Sequence, residues 1–390
     1  MALNRRTAVI GSAIMAPAED GRQALEELLY AVSQAALKDA GLTIEDIDGI
    51  VVASNDQFDG RAIAVMAASG SVGGVDRDIL STPSSGEHAF VLGVLRVASA
   101  QYETQLVVSW SPTEASSLSE AQRLGADPYF HRALPLDELS AFALQACAIG
   151  NRCPQAHALA APITVRNRSN GFAAYPEVAA SEADAAAIAR SRVLRWPLRE
   201  AMVAPPRTAA VALVIASEAF TDARKDVTAA WVRGMGWATE AGFLGDRDLS
   251  RAPALDAAAQ RAYDEAGISE PRKALDVVEL TGATAYQELI AFDSLGISKA
   301  DAWKADLDSG DFERGGRLPV NPSGGSVAIN PVFCTGMIRI AEAAAQVRGK
   351  AGRHQVAKAK TALAHAASGP AMMYQTVLVL DADREGTQHA

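Results

Sequence analysis

The sequence predicts an α/β fold built from two similar halves, and three observations carry the prediction. Short apolar runs alternate along the chain with Ala-rich helical patterns. Most of these runs are continuously apolar rather than alternating, as expected of strands covered on both faces. A stretch of the first half also recurs in the second. "AALKDAGLTIEDIDGIVVAS" (35–54) matches "RAYDEAGISEPRKALDVVELTG" (261–282) in order and type: helix, Ala-Gly stop, short linker, strand. A second pair supports the repeat, because "FVLGVLRVA" from Phe90 and "FCTGMIRIA" from Phe333 share Phe, Gly, Arg and Ala at equal spacing. The halves are expected to meet near Ser217 to Asp222. This gives an N-terminal unit 1–218, with a helical insertion at about 115–205, and a C-terminal unit 219–390.

The elements follow in order. "TAVIGSAI" (7–14) is a strand by its β-branched apolar run, and the pattern "RQALEELLYAVSQAALKDAG" (22–41) is a helix stopped by glycine, the usual residue past a helix end. "GIVVAS" (49–54), "QLVVSWS" (105–111), "AAVALVIAS" (209–217) and "ALDVVEL" (274–280) are strands of the same apolar kind. "GMIRIAEAAAQVRGKAG" (336–352) is a second long helix, and "MMYQTVLVL" (372–380) a closing strand.

Bulk properties exclude several function classes. At 390 residues the chain can bury a large core. Its 36 basic and 46 acidic residues give a net charge of −10, which disfavours capture of nucleic acid, and no basic patch interleaved with aromatics occurs. No run of 18 apolar residues is present, so no membrane span is expected, and the first twenty residues lack the apolar core of a secretory signal. Cys147, Cys153 and Cys334 have neither the paired spacing of a zinc site nor that of a disulfide framework, which fits a reducing cytoplasm and no bound metal.

The stretch "VNPSGGSVAINPVFCTG" (320–336) is a glycine-rich turn running into a helix, a build that brings backbone close to a ligand, yet it has no His, Asp, Glu or Lys to move a proton. "NPSGG" followed by "NPVFCTG" resembles the paired glycine-rich motif of the thiolase superfamily, and especially its lipid-transfer-protein branch. The resemblance extends over nearly the whole chain. "AFALQACAIGNRCPQAHALAAPITVRNRSNGFAAYPE", "ELTGATAYQELIAFDSLGI" and "ALAHAASGPAMMYQTVLVL" resemble that branch's helical segment, its His-Asp-Cys-Phe region and its terminus. It implies a duplicated fold arranged as a five-layer αβαβα sandwich. It also implies cleavage or formation of carbon–carbon bonds in acyl-CoA thioesters by a Cys thiolate at the start of a buried helix, helped by His and backbone donors.

Carried over position by position, the chemistry of that family is degenerate here. Its Cys-x-Ser-Gly nucleophile motif falls on "PSSGEHAF", with Pro83 where the Cys should be and Ser85 and Gly86 matching. Ser84 is the nearest substitute alcohol, but an alcohol needs an adjacent base; Ser84 and Ser85 also suit helix capping. The His of Gly-His-Pro falls on Asn330, which can donate a hydrogen bond but cannot carry a proton away, although some members of the branch have Asn-Pro here. Cys334 follows where the family has Ala and fits a small core residue. Thr281 to Thr284 occupy the place of His-Asp-Cys-Phe, or of the Tyr-x-x-Phe that related members carry, with Tyr286, Gln287 and Glu288 following as packing residues. His365 matches a family His, but the glycines after it have become "SGPA". Asn321, Ser323, Gly324 and Gly325 are expected to form the loop beside the pocket.

Four degenerate positions that must act together imply a subunit kept for its shape. The leading expectation is a thiolase-like chain without its own catalytic residue, a structural or regulatory partner of an active thiolase-like chain in a heterodimer or heterotetramer that cleaves a 3-oxoacyl-CoA. An OB-fold, zinc-ribbon protein is a further partner in several bacterial complexes of the family. Coenzyme A enters as part of the substrate, with no covalently bound cofactor. The alternatives are a retro-aldolase acting on a 3-hydroxyacyl-CoA with an OB-fold partner, for which Tyr286 and Tyr374 are the nearby tyrosines, and a freestanding acyl-CoA or lipid binding protein.

Overall fold

The computed structural model describes residues 5–19, 23–134, 136–179, 184–224 and 226–386. Arg22, at the start of the first expected helix, the extreme ends of the two units, and residues 180–183 of the expected insertion lie outside them.

Nine strands of the described residues form one mixed sheet: β1 (Thr7–Met15), β2 (Gly49–Ala53), β3 (Asp78–Thr82), β4 (Thr104–Ser111), β5 (Ala209–Ser217), β6 (Ala230–Thr239), β7 (Val277–Leu280), β8 (Thr361–Ser368) and β9 (Tyr374–Asp381). The principal helices are α1 (Leu25–Asp39), α2 (Gly86–Ala98), α3 (Glu138–Arg152), α4 (Gln155–Ala174), α5 (Pro253–Ala266), α6 (Ala285–Ser294) and α7 (Thr335–Val347). The strand order is β3-β2-β4-β5-β1-β6-β9-β8-β7. Each half contributes a contiguous block, and among the described strands the two blocks pair where β1 meets β6, through Ala8 opposite Trp231 and Val9 opposite Ala230. A seam of two residue pairs leaves the half-sheets free to diverge and enclose helices between them.

The core is layered accordingly. Leu28, Leu29, Val32 and Leu37 of α1 bury against Ile10, Ile50, Leu106 and Val214 on the outer side of the first half-sheet. Phe90 and Val94 of α2 and Met337 and Ile340 of α7 fill the middle, between Val51, Val107 and Leu213 on one side and Val277, Ala364 and Leu378 on the other. Leu255 and Ala262 of α5, Leu289 of α6, Ile149 of α3 and Ile163 of α4 cover the far side of the second half-sheet, over Val278, Leu363 and Val379. This is the five-layer αβαβα arrangement. The two similar nonapeptides are the two middle helices, and the two longer similar stretches are the ends of α1 and α5 with the strands that follow.

Close helix–strand approach is handled alike in both halves. A Cβ on Gly11 of β1 would stand 2.4 Å from the Ala36 carbonyl oxygen in α1, and one on Gly234 or Gly236 of β6 would stand 2.0 Å from the Ala262 or Ala258 oxygen in α5. The six expected strands are all present, while β3, β6 and β8 were not among them. β3 is a short edge strand with mostly exposed side chains, β6 is interrupted by glycines and an arginine, and β8 is largely alanine. None has the apolar β-branched run that signals a covered strand.

Candidate functional site

The strands β3 and β7 end at Thr82 and Leu280, and the chain turns there towards α2 and α6. Crevices at the carboxyl ends of such strands are where α/β sheets place ligands. A cavity of about 700 Å³ opens at this end, lined mainly by apolar side chains and of a size that suits an organic ligand. Its wall includes Pro83, Ser84 and Ser85 at the entry to α2, Thr281 after β7, Asn330 and Thr335 at the entry to α7, and Tyr374 at the start of β9. A larger depression of about 870 Å³, beside Gly267 and Lys299, is lined mostly by polar and charged side chains and contains none of the expected site residues.

At the position of the expected nucleophile the ring of Pro83 stands in the wall, without a nucleophilic atom. Ser85 occupies the N-cap of α2, yet its side chain makes no capping hydrogen bond. The Ser84 hydroxyl is hydrogen-bonded to His88 Nδ1 instead. The His88 ring lies edge-on to Tyr374, centroids 5.6 Å apart and planes at 88°. Next to it, the Glu87 carboxyl is buried; Oε1 accepts from Ser368 Oγ at 2.6 Å, Oε2 has no partner, and burial pushes its pKa up.

Asn330 is held by its neighbours. Its Nδ2 donates to the Ala204 carbonyl at 3.2 Å and its Oδ1 accepts from Thr335 Oγ1 at 2.9 Å. Thr281 is buried, and its hydroxyl oxygen, closed off from solvent, has no hydrogen-bond partner within the protein, an arrangement that costs stability. Cys334 is fully buried against the Ala209 carbonyl, and burial pushes its thiol pKa well up, the state of an inert core cysteine.

His365 does not line the cavity. It is fully buried in β8, Nε2 pairs with Gln375 Oε1 at 2.8 Å, and burial lowers its pKa to about 4. Tyr286 also lies off the cavity, its hydroxyl 2.9 Å from His157 Nδ1 and its pKa pushed up to about 12 by burial. Gln287 does reach the wall, its amide tied to Gln145 at 2.9 Å, and Glu288 is buried in a cluster with Arg166 and Asn167.

The loop expected beside the pocket serves the packing beneath it. Asn321, Ser323, Gly324 and Gly325 are buried and absent from the cavity lining, which Ser326 alone of this loop joins before Asn330. Ser323 Oγ donates to Glu279 at 2.7 Å, and Arg339 of α7 donates to both at 2.6 and 2.9 Å, all three fully buried. Asn321 Oδ1 accepts from the Leu280 N–H at 2.7 Å. Gly324 has φ +89°, and a Cβ there would stand 2.3 Å from Gly171 Cα of α4. Its glycine is required by helix contact as well as by the left-handed backbone.

Three features were not singled out from sequence. His88 stands four residues after Ser84, one helical turn away, and that spacing is the only signal that could have found it. Glu138 opens α3 in the cavity wall, accepts from Gln122 Nε2 at 2.9 Å and has its pKa raised to about 7 by burial. Phe130, His131 and Phe243 also line the cavity, with ring centroids 5.1–5.9 Å apart, and Phe130 is 65% exposed. Among the described residues no group of three or more His, Cys, Asp or Glu side chains is arranged to hold a metal ion, and no helix is long and apolar enough to cross a membrane.

Comparison with known proteins places these features. Residues 238–382 match the family described as "Thiolase C-terminal domain-like". Sterol carrier protein 2 of Oryctolagus cuniculus is 38% identical over 109 residues, 28% of this chain and 20% of that protein. The match thus spans about a fifth of the relative's length. The benzoylsuccinyl-CoA thiolase subunit BbsB of Thauera aromatica is 27% identical over 54% of each chain. Among solved structures, the Ltp2-ChsH2(DUF35) aldolase superposes with a TM-score of 0.81 at 19% identity, covering 98% of this chain and 100% of that one. Human mitochondrial 3-ketoacyl-CoA thiolase superposes with a TM-score of 0.69 at 16% identity, covering 97% and 99%. At these identities the two superpositions establish the thiolase fold.

Proposed function

We propose that the chain is a member of the thiolase superfamily, in its lipid-transfer branch, and that it is a thiolase-like subunit without the catalytic cysteine, acting as structural and regulatory partner of an active thiolase-like chain. The observation that carries this reading is Pro83 in the wall of an acyl-sized cavity, at the helix entry where a thiolate would have to stand. The single thiol of the neighbouring loop, Cys334, is sealed in the core. The partner chain would cleave a 3-oxoacyl-CoA with coenzyme A. Two similar proteins support a heteromer, one being a thiolase subunit and the other an aldolase joined to a DUF35 protein. Three free cysteines support a reducing, cytoplasmic setting.

Co-expression with a partner thiolase-like chain tests it. The assembly should lose thiolysis when the partner's cysteine is changed to alanine, whereas Tyr286→Phe in this chain, away from the cavity, should leave turnover within about twofold, the scale of an ordinary packing change. Thiolysis by this chain alone would overturn the reading.

One observation favours retro-aldol cleavage of a 3-hydroxyacyl-CoA as a second reading. Of the two tyrosines expected for it, Tyr374 lines the cavity beside His88 while Tyr286 does not. Cleavage in the absence of any active thiolase-like chain, abolished by Tyr374→Phe without unfolding, would establish it.

A further inference from the structure

The entry to α2 has lost a cysteine, but it has an oxygen nucleophile in contact with a base. Ser84 lines the cavity, and its hydroxyl meets His88 Nδ1 across one turn of the helix that begins at Gly86. With the imidazole proton on Nε2, Nδ1 accepts from the serine, the relation an activated alcohol requires. α2 is thirteen residues long, and its first turn presents backbone N–H groups at the same end. A second, independent observation points to a ligand beside this pair: Ser84 stands in the wall of the cavity of about 700 Å³, whose mainly apolar lining suits the acyl chain of a thioester. The Glu87 carboxyl follows Ser84 by three residues; burial raises its pKa, and the charge interaction with the neighbouring His88 works against that rise without cancelling it.

We propose that Ser84 is an acyl acceptor, with His88 as its base, and that the cavity transfers the acyl group of a thioester to Ser84 and then to water. Ser84 Oγ attacks the thioester carbonyl carbon while His88 takes the hydroxyl proton. The carbon–sulfur bond then breaks, and the leaving thiolate receives that proton. Water attacks the resulting ester with His88 again as base. The carboxylic acid leaves, and the serine regains its proton. No oxidant, reductant or metal enters the balance. The inference goes beyond the partner role, because loss of carbon–carbon cleavage leaves simple acyl transfer untouched, and it rests on the reading of the cavity as an acyl-thioester site.

The test uses the purified full chain, without partner and without added coenzyme A. The probes are octanoyl-CoA, followed by thiol release and by intact mass, and p-nitrophenyl octanoate, which needs no recognition of coenzyme A. Thiol release with an octanoyl adduct mapped to Ser84 is the expected result. Ser84→Ala should remove both. His88→Gln, which can still hydrogen-bond to the serine but cannot carry its proton, should slow release by about 10²–10⁴-fold. Cys147→Ser, outside the cavity, should change neither. Turnover of the p-nitrophenyl ester alone, dependent on Ser84, would support the nucleophile and overturn the thioester reading. Folded protein that releases no thiol and forms no adduct with either probe, an adduct mapped to another residue, or release unchanged in Ser84→Ala would overturn the proposal. A Ser84–His88 bond that merely holds the turn would leave the Ser84→Ala protein folded and equally inert towards both probes.

Discussion

The glycine-rich loop is held from below by a buried charge, and Arg339→Met tests that anchor. Arg339 and Glu279 are both fully buried, 2.9 Å apart, and Ser323 of the loop bonds to each. Removing the guanidinium leaves the Glu279 carboxylate with only the hydroxyl and N–H of Ser323, at 2.7 and 3.2 Å. Breaking a buried pair from one side costs about 3–5 kcal/mol, because the remaining charge stays out of water. With an unfolding entropy of about 2.1 cal/mol/K per residue, a chain of this length loses ~4–6 °C of melting temperature for such a change. The double variant Arg339→Met/Glu279→Leu leaves no charge buried and should recover most of the loss. Calorimetry of the three proteins measures this coupling as a double-mutant cycle. A single variant melting within about 1 °C of the parent, outside the expected range, would refute the anchor.

Two further outcomes follow from buried titratable groups. The His365 pKa is lowered from 6.5 to about 4, so the folded state binds fewer protons than the unfolded chain between those values; the stability this contributes is present above pH 6.5 and lost as pH falls towards 4, ~3 kcal/mol in all. Urea unfolding of His365→Gln between pH 7 and pH 4 should show a flatter pH dependence than the parent, and an identical slope would count against a buried neutral imidazole. A colorimetric thiol reagent should label the half-buried Cys147 and Cys153 in the native protein and Cys334 only after unfolding; native labelling of Cys334 at the rate of the other two would contradict its place in the core.

What the sequence by itself determined is the duplicated α/β architecture. Continuous apolar runs such as "AAVALVIAS" (209–217) have one stable use, a strand covered on both faces, and the structure buries every residue of it. The pair of Phe-x-x-Gly-x-x-Arg-x-Ala segments likewise falls on the two helices of the middle layer, where Gly93 lets one approach Val107 and Ile215 and Gly336 lets the other approach Glu87 and Ala366. Strands β6 and β8 escaped notice for the same physical reason seen from the other side: their glycines and alanines suit close contact with helices, and such residues carry no strand signal of their own.

Pro83, Ser84, Ser85, Thr281 and Asn330, up to about 250 residues apart and singled out by motif order, stand together in the wall of one cavity. Tertiary structure decided what each position can do. Asn330 is tied to Ala204 and Thr335, contacts that no local pattern announces. His365 is neutral and away from the cavity because β8 is enclosed by its neighbours. Asn321, Ser323, Gly324 and Gly325 brace Glu279, Arg339 and α4 rather than bordering a ligand. His88 became a partner for Ser84 only because the turn before α2 swings the serine back over the first helical turn. Side-chain type is written in the sequence, but burial and hydrogen-bond partners depend on what the fold brings against each side chain, and they decide whether a serine is a cap or a nucleophile.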